Sequence, residues 1–111
     1  MPSFVNGSSQ KSSEPIIEII TWNGIEFHFA KIGKIVICRL DPNGSKSLSA
    51  QAWTVIGTLT KCLFEGIMSV STIQDHTFGL QVDNGQLKLY SNAISSPKWL
   101  QGTGIALASE Q

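Results

Sequence analysis

The sequence predicts a small all-β domain, an antiparallel barrel or a Greek-key sandwich of about seven to eight strands. Three observations carry that expectation. Short runs of alternating apolar and polar residues recur from Pro15 onward, Gly, Asn, Asp and Pro punctuate them, and no helical period persists long enough for a stable helix. A chain of 111 residues fits one domain around one core. With 41% hydrophobic and only 14% charged residues it carries enough apolar surface to offset the entropy of ordering.

Residues 1–14 are rich in Ser, with one Gly and one Asn, and predict a flexible tether; residues 15–111 are expected to form the domain. From Pro15 the composition turns abruptly β-branched and aromatic. Ile25, Phe27 and Phe29 alternate with Glu26, His28 and Ala30, and Ile32-Gly33 allows a tight hairpin into the run Ile35 to Leu40. Asp41-Pro42-Asn43-Gly44 is a turn, because Pro presets φ while Asn and Gly tolerate positive φ. A loop to about Ala52 should follow.

Residues 53–60 and 66–73 are two further strand candidates, and 61–65 between them read as a short strand or a helical turn. The clearest hairpin comes next. Phe78, Leu80 and Val82 alternate, Asp83-Asn84-Gly85 supplies a positive-φ turn, and Leu87 and Leu89 return. Residues 92–101 read as a polar connection, and 102–108 as a last short strand.

Charge and motifs exclude several classes. Eight basic residues balance eight acidic ones, so there is no positive field to gather nucleic acid or anionic lipid. No run approaches the roughly 20 apolar residues of a membrane span, and residues 1–14 lack the apolar core of a signal peptide. Cys38 and Cys62 lie in apolar runs and read as small buried side chains, with a disulfide between them the less favoured alternative. Two cysteines and two separated histidines, His28 and His76, make no zinc spacing, so no metal or cofactor is expected. Nucleophile-elbow, phosphate-loop, calcium-loop and distinctive paired-carboxylate patterns are all missing, and the expectation is a non-enzymatic protein. Gly102-Thr103-Gly104 reads as a turn or bulge.

Recognition chemistry is better represented. Sites for neutral sugars set an aromatic face against the C–H patches of the ring and fix the hydroxyls with Asp, Asn, Gln or His. Trp22, Trp53, Tyr90 and Trp99 supply the aromatics; Gln74, Asp75, His76, Gln81 and Asn92 supply the polar groups. Trp22 and Trp53 sit in apolar-rich strands and are expected in the core. Trp99 lies in a loop, where packing and ligand contact are equally open. Tyr90 alternates against Leu87 and Leu89 and must face outward, to solvent, a ligand or a neighbouring subunit. Asp75-His76 reads first as a turn, with ligand binding as the sharper alternative.

The order of these residues adds information. An initial Thr21-Trp22-Asn23-Gly24, the stretch from Phe27 to Leu40 with its Lys31-Ile32-Gly33 hairpin and apolar return, and the stretch from Gln74 through Tyr90 and Gly102-Thr103-Gly104 to Ala108 together span about four-fifths of the chain. In that order they resemble the head domain of receptor-binding proteins from lactococcal siphophage baseplates. The resemblance implies a compact β-barrel head assembled as a homotrimer, placed at the virion tail tip, made in the host cytoplasm, and binding host cell-wall polysaccharide. It also implies other baseplate or tail proteins as partners through the N-terminal segment. In that family a shoulder or stem precedes the head; here residues 1–14 precede it, which fits an excised head or a short subunit. The family's sugar site has an aromatic on the return strand of this hairpin, matched by Tyr90, and His and Asp on the first strand, where Gly79 and Gln81 stand. Gln81 is therefore carried over with Tyr90, Asp75 and His76 join by proximity, and Trp99 joins as the loop aromatic. The alternative expectation is a structural trimerisation knob without its own receptor site.

Overall fold

The computed structural model describes residues 14–109, and within them the chain is all β. The proposed tether therefore lies almost wholly outside the described residues. β1 (Ile16–Trp22), β2 (Ile25–Ile32) and β3 (Ile35–Pro42) form a meander whose first turn, Asn23-Gly24, takes φ of 54° and 73°. Paired positive φ values of this kind match the right-handed twist of the flanking strands. The predicted alternation holds. Ile25, Phe27 and Phe29 are fully buried, while Glu26, His28 and Ala30 face outward.

β4 (Lys46–Leu48) and β5 (Gln51–Thr58) follow, then β6 (Met68–Thr72), β7 (Thr77–Asp83), β8 (Gln86–Ser91), β9 (Ile94–Lys98) and β10 (Gly102–Leu107). Eight of the ten make one antiparallel sheet in the order β1-β2-β3-β10-β6-β7-β8-β5, and β4 pairs with β9 in a small second sheet. The large sheet curls into a nearly closed barrel. Of the two expected architectures the barrel is the one formed. The β7–β8 hairpin turns at Asn84-Gly85, with φ of 55° and 80°, as its sequence requires.

Four sequence expectations need correction. The loop predicted before Ala52 contains β4, and the polar connection at 92–101 contains β9. Residues 61–65 form neither a strand nor a helical turn; only Phe64 makes a bridge, to Ala108. Gly102-Thr103-Gly104 is the start of β10 rather than a turn, and its glycines let β10 lie close on β6. A Cβ on Gly102 would sit 1.9 Å from the Ser71 carbonyl oxygen.

The two ends of the barrel are closed differently. At one end β4 and β9 bring in Leu48, Ile94 and, just beyond β9, Leu100. At the other end the connection 59–67 tucks in Leu59, Cys62 and Phe64, with Phe64 stacked on Phe29 at 6.2 Å. Both cysteines are buried free thiols, so the less favoured disulfide does not form. No helix occurs among the described residues, hence none long and apolar enough to cross a membrane.

The edges β1 and β5 meet without a backbone ladder. Ile20 of β1 covers Gly57 of β5 so closely that a Cβ there would lie 2.7 Å from Ile20 Cγ2. Just beyond β5 the Glu18 carboxylate accepts the backbone N–H groups of Thr60, Lys61 and Cys62 at 3.0, 2.7 and 2.6 Å, and the Thr60 hydroxyl at 2.9 Å. Burial alone would raise the Glu18 pKa; these donors outweigh it and hold the carboxyl at about 2.

Candidate carbohydrate-recognition surface

The outer wall beside that loosely closed edge carries an aromatic pair. The β5–β8 register shifts between Gln51 and Thr54, and within this bulge Trp53 adopts a φ of 55°. A left-handed backbone at a bulky non-glycine residue costs about 1–2 kcal/mol and persists only where surrounding structure enforces it. The bulge turns Trp53 out of the barrel and sets its indole against Tyr90, with centroids 5.5 Å apart and planes tilted by 45°. Gly79, the cross-strand partner of Tyr90, forms the floor: a Cβ there would meet Trp53 Cη2 at 3.3 Å.

Trp53 was expected in the core, and the bulge is the reason it is not. Tyr90 stands 45% exposed, on the outward face its alternation predicted. Gln81, two residues along β7 from Gly79, points to the same face opposite Lys88 and is half-buried. Residues diagonal to one another on such a ladder are about 7–8 Å apart, within reach of one sugar-sized ligand. Lys88 is itself paired with Asp83 at 2.9 Å.

The remaining sequence candidates gather elsewhere. Asp75 occupies the β6–β7 turn with φ of 63° and is exposed, as the turn reading expects. The turn is tied by Thr72, whose N–H and hydroxyl both donate to the His76 carbonyl at 2.9 and 3.0 Å. His76 Nε2 lies 2.8 Å from Ser91 Oγ, and the ring packs edge-on against Phe78 at 5.0 Å. Because the Ser91 hydroxyl proton goes to the Asn92 carbonyl at 2.8 Å, Ser91 accepts from His76, which assigns the imidazole proton to Nε2. Burial first and Lys98 second push the His76 pKa down. Trp99 is half-buried; it donates its backbone N–H to Gln74 Oε1 and its indole N–H to Gln101 Oε1 at 3.0 Å, so both of its N–H groups are satisfied.

The structure thus divides the five candidates in two. Tyr90 and Gln81 share the wall with Trp53, whereas Asp75, His76 and Trp99 lie around the β6–β7 turn and the β9–β10 connection. Across the edge from Trp53 is a concavity of about 420 Å³ lined by Trp22, Asn23, Ser47, Leu48, Ser49 and Gln51. Trp22 there is half-buried, packed against the core on one side. Gln51, two residues before Trp53, belongs to this neutral hollow. Aromatic faces and uncharged hydrogen-bonding groups therefore line both sides of the β1–β5 edge.

Sequence reasoning missed the roles of Trp53 and Gly79. Their signal was present in the glycine at the cross-strand partner of Tyr90, a vacancy that an aromatic ring from the next strand can fill. The cysteines offer no nucleophile: burial pushes the Cys38 thiol up to about 12 and raises Cys62, whose Sγ donates to the Ile16 carbonyl at 3.2 Å. No protein-family model matches the chain, and no curated protein or solved structure matches it.

Proposed function

We propose that this chain is a carbohydrate-recognition head of a bacteriophage tail or baseplate, binding host cell-wall saccharide by stacking and hydrogen bonding without breaking a covalent bond. The observation that carries the reading is the Trp53–Tyr90 pair. A strained bulge holds an indole outside the barrel, beside an exposed phenol and above a glycine floor. Strain is retained where surrounding structure or function demands it. Stacking of this pair on the apolar face of a pyranose supplies affinity; Gln81 and the hydroxyls and amides around Gln51 supply orientation.

The phage context rests on the ordered resemblance to lactococcal siphophage receptor-binding heads. In this reading the head works as a homotrimer joined through its N-terminal segment to other tail proteins. Trimeric display multiplies a weak single-site affinity for a repeating polymer.

The test is binding of purified cell-wall polysaccharide by Tyr90→Ala. Loss of affinity by tenfold or more with an unchanged melting temperature supports the site. Unchanged affinity removes Tyr90 from it, and a parent chain that binds no host polysaccharide removes the proposal.

One observation favours the runner-up, a trimerisation knob. Ile17, Ala30, Ile37 and Ile105 are successive cross-strand partners on the outer wall, and Ile17 and Ile105 are 56% and 60% exposed. An uncharged band across four strands suits burial between subunits. Light scattering that gives a trimer mass, together with no saccharide binding, selects the knob.

A further inference from the structure

The β2–β3 hairpin carries a second chemical cluster on the outer wall, away from the aromatic pair. Glu26 and Asp41 are direct cross-strand partners, two carboxylates facing each other on one sheet surface. Like charges placed opposite one another on a ladder are destabilising. His28, two residues along β2 on the same face, reaches between them. Its Nε2 lies 2.8 Å from Glu26 Oε1 and 3.9 Å from Asp41 Oδ2. The ligand atoms of all three lie within 4.8 Å of one another.

From this arrangement we infer that Glu26, His28 and Asp41 form a binding site for a single divalent transition ion of the Zn²⁺ class. Bonds of about 2.0–2.2 Å around a tetrahedral ion separate its ligands by roughly 3.4 Å. The observed 2.8 and 3.9 Å bracket that distance, so small side-chain rotations suffice without movement of the ladder. One imidazole with two carboxylates is a mixed donor set; the nitrogen favours Zn²⁺, Ni²⁺ or Cu²⁺ over Ca²⁺ and Mg²⁺, which take oxygen. Three protein ligands leave coordination positions open. A hollow of about 320 Å³ bordered by Thr21, Gly24, Glu26, Asp41, Pro42 and Asn43 gives those positions access to water or a ligand hydroxyl.

Two cations stand near and oppose binding. Arg39, the cross-strand partner of His28, places Nη1 3.8 Å from Asp41 Oδ2, and Lys46 Nζ closes over Gly24 at the rim. Arg39 is half exposed, and its guanidinium can turn to solvent when the ion takes its place on Asp41. The sequence alone hides the site, because Glu26 and His28 lie 13 or more residues from Asp41 and only the hairpin register joins them.

The experiment is calorimetric titration of ZnCl₂ and CaCl₂ into the full chain, its His28→Ala and Asp41→Asn variants, and His76→Ala. The expected result is one saturable Zn²⁺ site per chain, at least tenfold weaker in His28→Ala and Asp41→Asn and unchanged in His76→Ala. A melting temperature that rises with Zn²⁺ in the parent but not in His28→Ala is the independent readout. No saturable binding means the cluster is an ion-pair network only. Equal binding in all variants, or Ca²⁺ binding tighter than Zn²⁺, overturns the inference.

Discussion

The barrel has two seams where its halves meet, and they are built on opposite principles. Between β10 and β6 the backbones themselves pair, through only two residue pairs, Gly102 with Thr72 and Thr103 with Ser71. At Gly102 and Gly104 a Cβ would strike the β6 backbone, so β10 can only present glycine at those two positions. Between β1 and β5 there is no ladder, and closure falls to side chains: Ile20 over Gly57, and Glu18 on the amides at 60–62. A strand bonded on both sides cannot add a residue without disturbing both neighbours. β5 is bonded only to β8, and it accommodates two register shifts. The first of these turns Trp53 outward. The side-chain seam is therefore what permits the aromatic surface.

Substitutions at the two seams should separate these principles. Gly102→Ala has the largest expected effect. The obstacle is the Ser71 backbone, which cannot yield without breaking the ladder, and a loss above about 3 kcal/mol in urea unfolding is expected. Gly57→Ala meets only the Ile20 side chain, which can change rotamer, and should cost about 1–2 kcal/mol. Equal costs would contradict the distinction between a backbone and a side-chain seam.

Glu18→Gln tests the clasp itself. Its carboxyl titrates at about 2 in the folded chain against an ordinary 4.5, so its stabilisation is fully present above about 4.5 and is lost as pH falls toward 2. Discounted for solvent screening, the clasp is worth about 1–2 kcal/mol at neutral pH. The variant should unfold more easily at pH 7 and show a flatter acid limb between those values. A parallel pair of pH profiles would mean that Glu18 does not close the barrel.

The smallest effect belongs to His76. Its pKa is lowered in the folded chain, so as pH drops below the ordinary 6.5 the unfolded chain takes up the proton first and stability declines until the folded pKa is reached. His76→Gln should remove that decline, amounting to less than about 1 kcal/mol for a partly exposed ring. A slope that survives the substitution assigns it to another group.

These contrasts also explain what the sequence revealed. Strands with one face in the core announce themselves by alternation, and β2, β3, β7 and β8 stand where Phe27-Phe29, Val36-Cys38, Phe78-Leu80 and Leu87-Leu89 put them. β4 and β9 were illegible because each has little to bury. β4 has three residues and buries Leu48; β9 contains Pro97 and is exposed between Ile94 and Lys98. Tyr90 was legible as outward because β8 is regular. Trp53 was not, since a bulge breaks the two-residue period and reverses which face a side chain takes. His76, which the sequence reads first as part of a turn and second as a ligand group, donates its Nε2 proton to Ser91 in the fold.

The most direct test of the proposed recognition surface is the affinity of Trp53→Gly for host cell-wall polysaccharide, measured beside the parent by calorimetry. Glycine accepts a φ of 55° without strain, so the bulge and the fold should persist, with stability within about 1 kcal/mol of the parent. The expected result is a folded variant whose saccharide affinity falls at least tenfold. A folded variant that binds as tightly as the parent would contradict it.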